Sequence, residues 1–176
     1  MQNKFQKVRK VYDNFHRHML SQGRLMVKDT DIGYWGISPT RELFELFQKT
    51  KLDKHNKFID LGSGDGRAVL VADLFTNATG IEYDKELHGF AVEFGKKLNS
   101  RAKFLNMDFM KHNLSAYDYI FIHPDNHISR SLEEKLMSEM NPSSKLIVFG
   151  PHKHPESMQK VETIDIQGSL ISVFKK

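Results

Sequence analysis

Apolar residues in the first twenty positions recur at spacings of three and four. Phe5, Val8, Tyr12, Phe15 and Met19 form the stripe, while Lys4, Lys7, Arg9, Lys10 and Arg17 occupy other faces. That period predicts an amphipathic helix packed on the domain with a solvated basic face. A basic amphipathic helix also suits a membrane surface or phosphates. Residues 21–37 hold no sustained period and contain glycines, so they read as a connecting loop. Ser38-Pro39 reads as a helix start, with Ser38 as N-cap and Pro39 at the first helical position. Leu43, Phe44, Leu46 and Phe47 give that helix its buried face, ending near Lys49.

From Lys57 the pattern switches to short apolar runs alternating with helical stretches. Strands are predicted at Lys57–Leu61, Thr79–Tyr83, Lys103–Met107, Tyr117–His123 and Lys145–Phe149. Between them Arg67–Phe75, Asp84–Asn99 (stripe Leu87, Phe90, Phe94, Leu98) and a segment marked by Ile128, Leu132, Leu136 and Met140 read as helices. Such alternation implies a parallel sheet covered on both faces. The tail differs: Val161–Ile166, Gly168 and Leu170–Phe174 read as a β-hairpin. The expected fold class is therefore α/β, doubly wound, with residues 38–176 as one domain and residues 1–37 as its extension.

Composition narrows the function classes. The chain has 176 residues, net charge +4 and no cysteine, which excludes disulfides, thiolate chemistry and cysteine-ligated zinc. The absence of cysteine suits a reducing compartment, and a cytoplasmic location is expected. No apolar run approaches the roughly 18–20 residues of a membrane span. The basic balance mildly favours acidic partners. His152-x-His154 lacks a matching set of other ligands, so no metal site is expected there.

The informative stretch is Asp60-Leu61-Gly62-Ser63-Gly64-Asp65-Gly66-Arg67, an apolar strand running into a glycine-rich turn and then a helix. Glycines admit a sharp turn and close ligand approach, and the helix start offers free N–H groups to an anion. Glu82 ends the next strand, where an acid accepts ribose hydroxyls, and Asp108 ends the one after. All three features fall at the carboxyl edge of the sheet, where open α/β folds bind ligands. A nucleoside-type cofactor follows.

The string DLGSGDGR…GIEYD…NMDF…YDYIFIHP resembles the class I, seven-stranded S-adenosylmethionine-dependent methyltransferases over nearly everything after residue 38. The resemblance implies a Rossmann-like fold with a mainly parallel seven-stranded sheet and an antiparallel C-terminal hairpin. It implies S-adenosylmethionine as cofactor, with S-adenosylhomocysteine as product. The methionine portion falls to Asp60, Gly62, Ser63, Gly64 and Gly66, the ribose to Glu82 beside Tyr83, and adenine to Asp108 and Phe109. A narrower similarity, carried by Trp35-Gly36-Ile37-Ser38-Pro39-Thr40, DLGSGDGR and AKFLNMDF, is to the small archaeal and mitochondrial protein lysine methyltransferases. The mitochondrial members carry an amino-terminal membrane anchor, whereas this chain has only its basic helix. A protein lysine is thus the expected acceptor, with an RNA or small-molecule acceptor as the alternative.

An amine acceptor must lose its proton, and the candidates to assist follow the fourth strand: His123, Asp125 and Asn126, with Tyr34 and Trp35 as possible walls. Turn residues chosen for backbone reasons are the bland alternative. His123-Pro124-Asp125-Asn126 departs from the Asn/Asp-Pro-Pro-aromatic motif of exocyclic-amine methylation. Two other classes fit less well. A nicotinamide dehydrogenase would show GxGxxG and need a substrate domain. A nonenzymatic partner subunit would carry a broken cofactor motif, and this one is intact.

Overall fold

The structure is a computed structural model in which residues 1–31, 33–125, 127–151 and 154–176 are described. Helix α1 (Gln2–Ser21) is followed by strands β1 (Val27–Thr30) and β2 (Gly33–Gly36), then α2 (Thr40–Lys49). The alternating part comprises β3 (Lys57–Leu61), α3 (Arg67–Ala72), β4 (Asn77–Glu82), α4 (Lys85–Lys97), β5 (Lys103–Asn106), a 3₁₀ turn (Phe109–Lys111), β6 (Tyr119–Ile122), α5 (Arg130–Glu139) and β7 (Lys145–Phe149). Strands β8 (Gln159–Ile166) and β9 (Ser169–Lys175) close it.

The main sheet has seven strands in the order β5-β4-β3-β6-β7-β9-β8. Strands β3 to β7 pair in parallel, while β9 is antiparallel to both β7 and β8. The expected doubly wound class and its terminal hairpin are both present. The strand order reverses between β3 and β6, so a crevice opens beyond their carboxyl ends.

Strict alternation along the central strands sends side chains to two cores. Phe58, Phe121, Ile147 and Phe149 face the side covered by α1, α2 and α3. Ile59, Ile120, Ile122, Leu146 and Val148 face the side covered by α5. Aromatic rings fill the first: Phe47 lies 5.2 Å from Phe58 and 6.0 Å from Phe121.

Helix α1 buries the predicted stripe and leaves its basic residues exposed. Phe5 stacks on Phe44 of α2 at 4.1 Å, and Phe15 meets Phe90 and Phe94 of α4 at 4.9 and 5.0 Å. No helix among the described residues is long and apolar enough to cross a membrane.

Two expectations need correction. Residues 21–37 are not merely a loop, because β1 and β2 form a separate antiparallel pair with Lys28 opposite Trp35 and Asp29 opposite Tyr34. Four-residue strands are too short to announce a period of two, and one of them, Val-Lys-Asp-Thr, is mostly polar. Nor does Ser38 cap α2. Pro39 occupies the N-cap and no side chain closes that helix end, because the Ser38 hydroxyl is engaged elsewhere.

Candidate functional site

A cleft of about 310 Å³ lies at the strand-order reversal, walled by the ends of β3 and β6, the glycine turn and the β1–β2 hairpin. That is the lower end of the roughly 300–1,000 Å³ usual for small-ligand sites.

Its floor is made by the turn after β3. Gly62, Gly64 and Gly66 all have left-handed φ, at 79°, 54° and 76°. The turn is tied to the neighbouring strand: Gly62 and Ser63 N–H donate to the Ile81 carbonyl at 2.9 and 2.8 Å, and Gly64 N–H donates to Glu82 Oε2 at 2.7 Å. Gly66 N–H donates to the Ser63 carbonyl, and Arg67 N–H to Asp65 Oδ1. The expected free amides of the turn are therefore largely spoken for by the protein itself.

Glu82 is buried, and its Oε1 accepts from Asp84 N–H at 2.7 Å. Burial raises its pKa against the pull of the Asp84 and Gly64 amides. Asp60 is also buried in the cleft wall; burial first, then the charges of Glu82 and Asp65, hold its carboxyl well above the ordinary value. Each Glu82 oxygen carries one amide and keeps a lone pair for another donor. Asn106, which sequence reasoning passed over, fixes this corner by donating from Nδ2 to the Glu82 and Tyr83 carbonyls.

The other predicted positions divide. Asp60, Gly62, Ser63, Glu82 and Phe109 line the cleft. Tyr83 is half exposed, outside the wall. Asp108 also lies outside it and accepts the Met110 N–H at 2.8 Å, capping the 3₁₀ turn.

On the opposite wall, the loop after β6 meets the hairpin. Ser38 Oγ lies 2.7 Å from His123 Nδ1, and the His123 ring packs 4.7 Å from Phe149. Desolvation lowers the His123 pKa. Asp125 Oδ2 accepts the Tyr34 backbone N–H at 2.5 Å, while the Tyr34 side chain is largely exposed. On the far side Lys28 Nζ bridges Asp84 and Glu86, both at 2.8 Å. The hairpin thus straps the cleft, pinned at both margins, and the Trp35 indole lies directly over Gly64. No spacing in the sequence announced the Ser38–His123 or Tyr34–Asp125 pairings, which join positions more than 80 residues apart. Asn126 and His152 lie outside the described residues. His154 Nε2 lies 3.0 Å from Ser172 Oγ.

The residues present suit a nucleoside-sulfonium cofactor. Three buried acids, Asp60, Asp65 and Glu82, line the cleft, and Gly62 presents open space where a Cβ would stand. Ser63 Oγ and Arg67 Nε are buried without partners. Sheet order, glycine turn and cleft together define a Rossmann-like, S-adenosylmethionine-dependent methyltransferase.

Within that class the chain belongs to the family described as the ANTKMT methyltransferase domain, whose model matches residues 60–150, just over half of it. Among solved structures, it is similar to an RNA methyltransferase from Salinibacter ruber in complex with S-adenosyl-L-homocysteine (TM-score 0.67, 20% identity, 79% of this chain and 92% of that one). It is also similar to a SAM-dependent methyltransferase from Aquifex aeolicus (TM-score 0.63, 17% identity, 78% and 93%). A third, the mitomycin 7-O-methyltransferase MmcR, gives TM-score 0.61 and 15% identity over 78% and 53%. At these identities the likeness is one of fold. No curated protein matches the chain.

Proposed function

We propose that this enzyme methylates the ε-amine of a lysine in a protein substrate. The observation that carries the reading is the composition of the acceptor half of the cleft. His123, Trp35 and Phe121 wall it, and Arg67 is the one lysine or arginine among the described lining residues. A nucleic-acid acceptor calls for phosphate-facing cations and stacking surfaces around the same mouth. The sequence resemblance to small protein lysine methyltransferases points the same way.

The cofactor, when bound, supplies an electrophilic methyl group on a sulfonium. In our assignment Asp60, Gly62 and Ser63 receive its methionine portion, while Gly64 and Gly66 shape the turn beneath it from outside the cleft lining. Glu82, steadied by the corner at Tyr83, takes the ribose hydroxyls, and Phe109 with the Asp108 carboxylate receives adenine. The protein's remaining task is to deliver a neutral amine. Ordinary lysine and histidine differ by about 4 pKa units, roughly 5 kcal/mol against proton transfer between them. Burial lowers a lysine by up to about 3–5 units, so desolvation among Trp35, Phe121 and the closed hairpin does most of the work. His123 then carries the proton away, since desolvation keeps the ring neutral at pH 7 and Ser38 holds Nδ1, leaving Nε2 for exchange. Asp125 acts by closing Tyr34 and its strand over the acceptor.

The test is labelled methyl donor with native extract, followed by protease or nuclease. Label released by protease and recovered as methylated lysine is expected. Nuclease-sensitive, protease-resistant label would replace this reading with the RNA alternative.

A further inference from the structure

The methionine portion of the cofactor ends in a carboxylate, and the cleft is a poor place for one. Asp60, Asp65, Glu82 and Asp125 all line it. An anion usually meets such a turn through backbone amides, but those of Gly62, Ser63, Gly64, Gly66 and Arg67 already donate within the protein.

What remains beside the Asp65 N–H is the Arg67 guanidinium. Arg67 is the only lysine or arginine among the described residues lining the cleft, and it is 6% exposed. Nη2 pairs with Asp65 Oδ2 at 2.9 Å, leaving Nε buried with no partner. A guanidinium has five N–H donors in a planar fork suited to a carboxylate, so one pairing does not exhaust it. Its plane is held from behind, with Cζ 4.5 Å from the centre of the Tyr12 ring. Tyr12 belongs to α1, is fully buried, and donates its hydroxyl to the Asp65 carbonyl at 2.9 Å. One aromatic residue of the N-terminal helix thereby supports both halves of the Asp65–Arg67 pair.

We propose that Arg67 receives the methionyl carboxylate of S-adenosylmethionine, and that Tyr12 is the positioning residue that holds the guanidinium and the turn for it. The N-terminal helix is then part of the cofactor site rather than an appendage to it. Burial, more than the neighbouring Asp65 charge, raises the Tyr12 pKa well above its ordinary value, so the hydroxyl keeps its proton throughout the working range. This assignment rests on the cofactor reading of the same cleft.

The test compares S-adenosylhomocysteine with its decarboxylated amine analogue by calorimetry on the full chain. Wild type should prefer the carboxylated ligand by about tenfold or more, the worth of a charge-assisted hydrogen bond. Arg67→Gln should abolish that preference while binding the decarboxylated analogue within about twofold of wild type. Arg67→Lys, which keeps the charge if the glutamine variant fails to fold, should retain part of the preference. Tyr12→Phe should weaken S-adenosylhomocysteine and spare the analogue. Equal weakening of both ligands in both Arg67 variants, or no change in either, would overturn the assignment. If wild type bound neither ligand, the cofactor reading would itself fall, and this with it.

Discussion

The three left-handed glycines of the turn should fail in different ways when a methyl group is added. An L-residue held in the left-handed region costs roughly 1–2 kcal/mol, and that much is common to all. At Gly62 a Cβ would meet nothing within 4 Å and would project into open space at the cleft. Gly62→Ala should therefore lose only that strain, about 2–8 °C in Tm for a chain of this length. It should nevertheless bind S-adenosylhomocysteine at least about tenfold more weakly, because the methyl takes up ligand space. At Gly66 the Cβ would stand 2.7 Å from Ala91 Cβ and 3.1 Å from Ala91 Cα of helix α4, and 2.8 Å from Phe104. Backbone there cannot yield cheaply, so overpacking of about 1–3 kcal/mol adds to the strain, giving roughly 2–5 in all. Thermal denaturation and calorimetry on both variants separate the roles. If Gly62→Ala bound as wild type, or Gly66→Ala proved the more stable of the two, the division of the turn into a ligand face and a packing face would be refuted.

Other perturbations report on the acids and the strap. Burial raises the folded-state pKa of Asp60, so the folded chain binds more protons than the unfolded one above about pH 4 and loses stability as pH rises toward the folded value. Asp60→Asn, which cannot ionise, should melt higher than wild type at neutral pH without ligand, the gap closing as pH falls toward about 4; an equal or lower Tm throughout would contradict this. Trp35 is the only tryptophan and lies over Gly64, so S-adenosylhomocysteine should change the protein's tryptophan emission. Asp125→Ala, by freeing the Tyr34 amide, should shift the ligand-free emission to longer wavelength, whereas Tyr34→Phe should not, since only the Tyr34 backbone enters that bond; identical spectra for the wild type and Asp125→Ala would remove the latch.

The sheet was legible in the sequence because its signal is redundant. Each of β3, β6 and β7 is an apolar run, and the glycines that turn the chain after β3 stand next to one of them. The edges were less so. β4 begins at Asn77, and β6 covers only Tyr119–Ile122, since the Tyr117 N–H closes a turn onto the Leu114 carbonyl. Asp108 and Glu82 illustrate the limit for side chains. Glu82 ends β4 and Asp108 stands two residues past β5, and the two look alike in sequence, yet Asp108 caps a turn outside the cleft wall and Glu82 lies inside it, tied to two amides. Nothing local distinguishes them; the difference arises from where β4 and β5 stand relative to the strand-order reversal.

The parts that were hidden share a physical origin. Tyr12–Asp65, Ser38–His123, Tyr34–Asp125 and Lys28–Asp84 are all bonds between the first 38 residues and the carboxyl edge of the sheet. Each is a single polar contact across more than 50 positions, which leaves no period behind. The cofactor half of the cleft is built by strands and their turns, which local pattern reveals; the acceptor half is closed by a segment placed by those contacts together with the packing of Met26, Trp35 and Ile37 on the core. A fold shared with enzymes acting on RNA and on a small molecule would be expected to vary most in that second half. It follows that exchanging residues 27–38 for the corresponding segment of another member of the class should alter acceptor choice more than cofactor affinity, while changes at Tyr12 should do the reverse.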